Sequence, residues 1–423
     1  MIRKLKEYFG HLKGNSAVCV AFHPVWSVPY SFYTFYISLY LLEKGISSGQ
    51  LGQLQVIGTV AATLFSFLSA PIVDRMGRKR STLVFDLLSS ALPPLVYLFT
   101  ESFPLAVVAI ILFNANRIMS VGYYLTMTED ADDDGKVVAF NLWNIITVVA
   151  GLLIPLGGLA VDRFGLVEAE RAFLWGSFIL MTAMILIRDR LLKETDIGQR
   201  VRERVRSERF SLKSLWQPYG DAFRFLAHNK AARCIALANV FFCVYMNLGT
   251  NYSLYFVPYF SDRMQMNTIQ ASVLGSVYYG GMLAAMIFIN PSSGKDGLLK
   301  KILQSGVLTL VGFALMIFVP GGNFPLAILA VLVLALGYGM LKSNAEGALA
   351  VYSESEYRSG IYSAANLLSS GVGVAVTALC SVLYGRFAGW LYILCGAMVL
   401  VMMGFVAAML RPAAQDAPAE PKE

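Results

Sequence analysis

The chain has 423 residues, of which 57% are hydrophobic and 14% are charged, and its formal net charge is +7. A soluble domain carries about a quarter charged residues, so this composition excludes an ordinary soluble protein and indicates a membrane protein. The basic residues lie in short segments between apolar runs, which excludes the continuous basic face of a nucleic-acid-binding protein. The five cysteines lack metal or redox spacing, and no phosphate-binding or nucleophile motif occurs. We therefore expect no metal, no cofactor and no enzymatic activity.

Apolar runs of about 20 residues, the length that crosses a bilayer as a helix, recur along nearly the whole chain. The basic N-terminal stretch precedes a run that is too long for a signal peptide, so we expect no cleavage there. The pattern predicts an all-α membrane protein with twelve transmembrane helices, here called spans 1 to 12, at residues 17–43, 49–73, 81–100, 104–127, 137–161, 171–188, 231–260, 268–290, 298–319, 324–349, 359–384 and 388–410.

Lysine and arginine crowd one set of loops. They are concentrated at the N-terminus and in the segments 74–80, 189–230 and 294–301, whereas the opposite loops carry fewer cations. Because cytoplasmic loops are enriched in basic residues, these segments and both termini are predicted to be cytoplasmic.

The only long polar segment divides the chain into two sets of about six spans. We predict a six-helix bundle at 1–190, a cytoplasmic linker at 191–230, a second six-helix bundle at 231–410 and a polar cytoplasmic tail at 411–423. A repeat of this kind predicts two pseudo-symmetric halves related by an axis along the membrane normal. The residues that recur at a nearly constant offset are Tyr30 and Tyr252, Tyr33 and Tyr255, Arg117 and Lys342, Glu129 and Glu354, Gly135 and Gly360, and Asn141 and Asn366.

Between spans 2 and 3 stands the segment Ala70-Pro-Ile-Val-Asp-Arg-Met-Gly-Arg-Lys-Arg80. Its Asp74 ends an apolar helix, its Gly77 permits a tight turn, and the basic residues that follow hold the turn at the cytoplasmic side. The segment resembles the signature G-x-L-A-D-R-x-G-R-K of the major facilitator superfamily, with Ala70 in place of the first glycine. The chain looks like a little-characterised, drug-exporter-like bacterial member of that superfamily.

This resemblance implies a fold, a mechanism and a role for the loop. The implied fold is two six-helix bundles that rock about a central site and expose it to alternate sides of the membrane. In the family the loop forms ion pairs that hold the two halves in the outward-facing state. The resemblance therefore assigns a conformational latch to Asp74, Arg75, Gly77 and Arg78. A basic turn that fixes topology is the alternative, and both roles are compatible.

Span 5 is partly similar to the antiporter signature of drug exporters, through Gly151, Pro155, Gly157 and Gly158. The spacing departs from that signature, so the likeness favours export only mildly. Close helix contact and a helix bend would use the same residues. Span 1 also lacks the acidic residue that many proton-driven drug exporters have.

Few ionisable side chains lie well inside the expected spans, and a charge in hydrocarbon costs at least roughly 2.5 kcal/mol. They are His23, Asp86, Arg117, Lys342 and Glu346. Arg117 resembles the span 4 arginine that is implicated in proton coupling in the family. Because an arginine stays protonated, it would act on a neighbouring carboxyl or bind an anion. A structural ion pair between Arg117 and Asp86 is the alternative.

Lys342 and Glu346 are four residues apart in span 10, so their side chains can meet on one helix face. Asp86 and Glu346 are the only interior carboxyls, so a coupled proton would bind one of them or His23, and Glu346 is the first choice. If spans 1, 4, 7 and 10 line the cavity, as the family fold implies, Arg117 and Lys342 face the solute together and favour an anionic one. A silent pair between Lys342 and Glu346 is the alternative.

Aromatic and amide side chains in spans 1, 4 and 7 combine apolar faces with hydrogen-bonding tips. For any single tyrosine, ordinary packing is the alternative. The predicted substrate cavity is lined by Tyr30, Tyr33, Asn114, Asn247, Asn251 and Tyr255, together with Arg117, Lys342 and Glu346.

These observations predict a secondary active transporter in the bacterial inner membrane. It would move a small organic solute, anionic or amphipathic, by proton-coupled alternating access, and efflux is the expected direction. The alternatives are nutrient uptake by proton symport of a sugar or organic acid, and a non-transporting sensor or lipid scramblase. The expected partners are the solute, protons and membrane lipids; we expect a monomer and no nucleic acid.

Overall fold

The computed structural model describes residues 12–131, 133–207, 220, 223–251, 253–285, 295–352 and 358–410. Within these ranges the regular secondary structure is helical. Before the linker the helices are α1 (Gly14–Glu43), α2 (Ser48–Met76), α3 (Arg78–Asp86), a π-helical turn (Leu87–Ala91), α4 (Leu92–Leu98), α5 (Phe103–Asn114), α6 (Asn116–Thr128), α7 (Asp133–Leu152), α8 (Ile154–Phe164) and α9 (Leu166–Leu191).

The remaining helices begin inside the expected linker. They are α10 (Asp196–Ser207), α11 (Lys230–Gly249), α12 (Phe256–Asp262), α13 (Thr268–Ala284), α14 (Lys295–Phe318), α15 (Phe324–Tyr352), α16 (Arg358–Tyr384) and α17 (Trp390–Leu410). Spans 3, 4, 5 and 7 are thus each made of two consecutive helices.

Ten helical stretches among the described residues are long and apolar enough to cross a membrane. The expected all-helical, multi-pass membrane protein is therefore confirmed. The two expected spans outside this set are α1, which is rich in serine, tyrosine and proline, and α13, which is described over 17 residues. The number twelve and the cytoplasmic position of the termini stay predictions.

Local sequence sets several helix boundaries. The Ser47 hydroxyl accepts a hydrogen bond from the Gln50 backbone N–H at 3.3 Å, and the Gln50 side chain accepts one from the Ser47 N–H at 2.9 Å. This reciprocal cap starts α2. The π-helical turn after α3 ends at Ala91, and Leu92 separates it from Pro93 and Pro94, whose nitrogens cannot donate to the preceding helical turn. Span 3 is therefore irregular beside Asp86.

Large apolar side chains cover the outer surface of the helices. Leu64, Leu156, Ile179, Phe318 and Val382 are all more than half exposed. In water such a surface would promote aggregation, whereas in a bilayer these side chains contact acyl chains.

Helices α1–α9 pack mainly with one another, and so do α11–α17. We call these the first and second helix groups. The main contacts between them join α2 to α16, and α13 to α7 and α8, with a smaller contact of α1 with α12. Span 2 of each group therefore packs on span 5 of the other.

The two groups are in close contact along a seam that includes Gly52, near the end of α2 away from the motif loop at Gly77. Four glycines lie in this seam, and a Cβ atom added to any of them would overlap a side chain of the other group. The glycines and the residues that they meet are Gly52 with Ser381 and Tyr255, Gly151 with Tyr279, Gly158 with Ser272, and Gly275 with Phe35.

Candidate functional site

A cavity of about 190 Å³ lies between the two helix groups. The first group contributes α1, α2, α4, α5 and α6 to its wall, and the second contributes α11, α12, α13, α16 and the turn before α12. Polar and aromatic side chains make up much of this wall, as expected for a site that binds a small solute with defined hydrogen-bonding groups. They include Tyr30, Tyr33, Gln55, Thr59, Tyr97, Asn114, Arg117, Asn247, Asn251, Tyr279 and Thr377.

Arg117 is the cation on this wall among the described residues. It follows a break at Ala115, where α5 ends and α6 begins, and its side chain is exposed. Within the described part of the chain no carboxylate forms an ion pair with Arg117. A guanidinium so placed offers several fixed donors to an anionic group in the cavity.

Amide side chains lie on both sides of the cavity. Asn114 donates to the Ile110 carbonyl at 2.8 Å, and Asn247 donates to the Cys243 carbonyl at the same distance. Each bond fixes the amide against its own helix and uses one of its two N–H groups, which leaves a second donor and the side-chain oxygen for a ligand. Each helix group therefore presents to the cavity an amide that is held in place by its own helix.

Gln55 joins the two helix groups at the edge of the cavity. Its side-chain oxygen accepts from the Leu254 backbone N–H at 2.9 Å, and its side-chain nitrogen donates to the Asn247 carbonyl at 3.5 Å. The Asn251 amide donates to the Tyr279 hydroxyl at 2.8 Å. Any motion that separates α2 from α11 and α12 must break the Gln55 contacts.

The structure places six of the predicted cavity residues on this wall: Tyr30, Tyr33, Asn114, Arg117, Asn247 and Asn251. Tyr255 lies off the wall, stacked on Tyr384 at 4.2 Å between ring centroids. Lys342 is also off the wall, and the Glu346 side chain lies outside the described residues. Spans 1, 4 and 7 contribute to the cavity as expected, whereas the described part of span 10 does not.

Asp86 forms a buried ion pair with Arg188 of α9, with 2.5 Å between Oδ2 and Nη2. The alternative pairing of Asp86 with Arg117 is therefore wrong. The Ser90 hydroxyl donates to Asp86 at 2.5 Å, and the Arg188 guanidinium lies over the Tyr123 ring at 5.0 Å. The pair ties α3 to α9 inside the first group, away from the cavity wall.

Glu170 on α9 is a buried carboxyl that the sequence analysis missed. It is 0% exposed, and neither carboxyl oxygen has a hydrogen-bond partner. The expectation that Asp86 and Glu346 are the only interior carboxyls is therefore wrong. Glu170 stands between Glu168 and Arg171 in a stretch that looks like a polar loop, which concealed it.

The motif loop forms a compact charged network. Asp74 pairs with Arg78 at 2.5 Å, and the Arg78 Nε donates to Glu129 at 3.2 Å. Gly77 has a φ of +89°, a conformation that L side chains rarely adopt, so glycine permits this turn. The Arg78 side chain is 5% exposed, while Arg75 is exposed next to it.

Glu194, in the turn between α9 and α10, completes this network. Its two carboxylate oxygens accept from the backbone N–H groups of Arg78 at 2.8 Å and Lys79 at 3.2 Å. The carboxylate thus caps the N-terminus of α3, where the helix dipole favours a negative charge. Thr195 also donates a short hydrogen bond to Glu129. The motif loop is therefore bound to the start of the interdomain segment, a link between residues about 115 positions apart.

The sequence profile of the Major Facilitator Superfamily matches residues 25–359. The chain belongs to this superfamily. That membership confirms the resemblance seen in the motif and places the chain among transporters rather than enzymes. No curated protein matches the sequence.

Solved transporter structures share the fold. The nucleoside transporter NupG superposes with a TM-score of 0.70 at 14% identity, covering 95% of this chain and 100% of NupG. A variant of the peptide transporter POT gives 0.66 at 14% identity, covering 93% of this chain and 94% of that one. A POT family transporter in complex with 5-aminolevulinic acid gives 0.62 at 14% identity, with coverages of 93% and 95%. At this identity the likeness establishes the fold.

Proposed function

We propose that this superfamily member is a secondary active transporter that binds a small organic anion at Arg117. The single observation that carries this proposal is an exposed guanidinium, without an ion-paired carboxylate in the described chain, on the wall of a cavity between the two helix groups. A solute carboxylate or phosphate would supply the missing counter-charge, and a charge-assisted bidentate contact would orient it. The amides and tyrosines around it suit hydroxyl, amide or aromatic parts of the same solute.

Alternating access is the mechanism that the packing supports. The contacts between span 2 of each group and span 5 of the other have the reciprocity that a pseudo-twofold axis along the membrane normal produces. With the basic loops in the cytoplasm, the glycine seam closes the outer side and the cavity faces inward. Rocking would open the seam and bring the opposite ends together.

The motif loop is the proposed latch of this motion. Asp74 and Arg78 form a network with Glu129 and Glu194 at the turn that Gly77 permits, and Arg75 is exposed beside it. Because Glu194 begins the segment that leads to the second group, the network couples the loop to the interdomain connection. Breaking it would change the relative free energies of the two access states.

Proton coupling, outward movement and a bacterial inner-membrane location complete the proposal. The buried carboxyls of the first group support proton coupling, and the partial antiporter pattern in span 5 supports outward movement. Uptake of a sugar or organic acid by proton symport is the second candidate, because the hydroxyls and amides of the cavity wall also suit a hydroxylated solute.

The first experiment tests whether the protein binds small organic anions. Purified protein in lipid nanodiscs is screened by thermal shift against small carboxylates and phosphates, each beside its uncharged amide or ester analogue. We expect stabilisation by anions over their analogues. Arg117→Gln should weaken the best anion by about ten- to a hundredfold, because a hydrogen bond to a charged group contributes about 1.5 to 3 kcal/mol.

Two variants control this screen. Arg117→Lys should retain part of the affinity, and Arg163→Gln, an exposed arginine at the end of α8, should match the wild type. Equal loss in Arg117→Gln and Arg163→Gln would refute the Arg117 site. The anions that bind best are then tested for transport in proteoliposomes with a pH gradient of either sign. The dependence of transport on the sign of the gradient reports proton coupling and the direction of movement. Rapid lipid redistribution without solute movement would favour the scramblase instead.

A further inference from the structure

Glu170 lies in the interface between α9 and α1. Glu170, Leu174, Ser177 and Met181 follow one another at helical spacing, and all four are 0% exposed. Ser177 donates to the Pro29 carbonyl of α1 at 3.2 Å, which fixes the register of the two helices. Glu170 is therefore a carboxyl in a row of side chains that otherwise packs one helix against another.

No group in the described chain compensates this carboxyl. Both of its oxygens are buried without a hydrogen-bond partner, and the neighbouring Arg171 pairs instead with the exposed Glu168 at 3.0 Å. Arg188, the buried cation of the same helix, is 18 residues further along, roughly 27 Å away. An isolated carboxylate in such a place is very costly, whereas a neutral carboxylic acid is not.

Three tyrosines of α1 lie near Glu170. Tyr33, Tyr36 and Tyr40 are each close enough to Glu170 for an electrostatic interaction with it. Tyr97 of α4 is close enough to Tyr33 for the same kind of interaction. Tyr36 donates to the Ile154 carbonyl at 3.2 Å. The Tyr33 hydroxyl, in contrast, is buried without a partner.

Tyr33 connects this interface with the cavity. It packs in the same cluster as Leu174 and Met181 of α9, and it also forms part of the cavity wall. A phenol can accept a proton on its oxygen while it gives up its own, so a Tyr33 hydroxyl brought into contact with both Glu170 and cavity water would pass a proton between them. The two unsatisfied groups would both gain a partner if they met.

We propose that Glu170 is a proton-binding site of the transport cycle, and that Tyr33 connects it to the central cavity. The Glu170 O–H bond is intact while α1 and α9 are packed as seen here. When the interface loosens, that bond breaks, the proton passes through the Tyr33 hydroxyl to cavity water, and the carboxylate becomes hydrated. The proposal rests on the proton-coupled transport proposed above and assigns the coupling to α9 rather than to Glu346.

The first measurement needs no substrate. Infrared spectra of the protein in nanodiscs are recorded from acid to neutral pH, and the carbonyl band of protonated carboxyls is followed. An ordinary glutamate ionises at about pH 4.3, so a carbonyl band that persists well above this pH reports a buried carboxyl that stays protonated. We expect Glu170→Gln to lose this band and the matched variant Glu168→Gln, two residues away and exposed, to retain it.

The second measurement links the proton to the conformation. Hydrogen–deuterium exchange of residues 44–52 and 376–384, on the two sides of the glycine seam, is followed against pH and corrected for intrinsic exchange. We expect exchange there to increase with pH in the wild type and Glu168→Gln, and to be independent of pH in Glu170→Gln. Glu170→Asp, which keeps an acid, should shift the band and retain the pH dependence, so it serves where Glu170→Gln does not fold.

Three outcomes would overturn the assignment. The first is an unchanged infrared carbonyl band in Glu170→Gln. The second is a Glu170→Gln variant that loses the band but keeps the pH dependence of hydrogen exchange at the seam. The third is loss of both the band and this pH dependence in Glu346→Gln and not in Glu170→Gln. Failure of the broader function looks different: wild-type proteoliposomes would then move no protons with any solute, whatever the infrared result. If the wild type moves protons with solute and Glu170→Gln does so equally, Glu170 is refuted and the transporter stands.

Discussion

Substitution of either partner of the buried pair Asp86 and Arg188 should destabilise the protein severely. Asp86 is 1% exposed and the Arg188 side chain is 5% exposed, so either change leaves a charge enclosed with no partner. Such a loss costs about 3 to 5 kcal/mol. The unfolding equilibrium constant should therefore rise by roughly two to four powers of ten.

The two single variants should differ in a defined direction. Arg188 also lies over the Tyr123 ring, an interaction that contributes about 0.5 to 2 kcal/mol. Arg188→Gln should therefore cost more than Asp86→Asn, in which the new amide can still accept from Ser90. The double variant strands no charge, so its cost should fall short of the sum by about 0.5 to 3 kcal/mol.

Unfolding by denaturing detergent in mixed micelles measures these free energies. Glu168→Gln is the control, since it breaks an exposed pair worth at most about 1 kcal/mol. The reasoning fails if Asp86→Asn costs no more than this control, or if the double variant costs the full sum of the singles.

Three further variants test the seam, the loop and a partly buried acid. Gly158→Val should raise the equilibrium constant for opening of the seam about five- to 150-fold, since overpacking costs about 1 to 3 kcal/mol. Gly176→Val is the control, because a side chain added there meets open space and should leave that constant unchanged. Hydrogen exchange of the seam measures both. Glu194→Gln should destabilise the start of α3 by about 0.5 to 2 kcal/mol, seen as faster exchange there alone. Burial raises the pKa of Asp262, so folding favours its protonated form and stability is lost as pH rises through that raised pKa. Asp262→Asn should remove this pH-dependent loss in thermal unfolding and keep the contact with Tyr384; an unchanged pH profile would contradict this.

Much of the fold and part of the site could be read from the sequence. The long apolar runs predict a bundle of membrane-spanning helices, because a chain in hydrocarbon must satisfy its backbone polar groups within each segment. The sequence predicts that Tyr30, Asn114 and Arg117 line a cavity with Asn247, because polar side chains are costly in lipid and so face a shared interior. The structure brings all four to one wall.

The errors concern partners that are distant in the chain. The sequence offers Arg117 as a partner for Asp86, but the partner in the structure is Arg188, 102 residues away. The charged neighbours of Glu170 make its segment resemble a polar loop, so the sequence does not mark it as an interior carboxyl. The signal that would have found it is its place in the apolar row with Leu174 and Met181.

The sequence by itself determined the membrane setting, the helices, the superfamily and the charged turn at Gly77, since each depends on residues that are adjacent or one helical turn apart. Only the tertiary structure decided which charges are paired, which tyrosines reach the cavity and which carboxyl is left without a partner. Those properties depend on the rotation of each helix about its axis, and that rotation is set by packing against helices from distant parts of the chain.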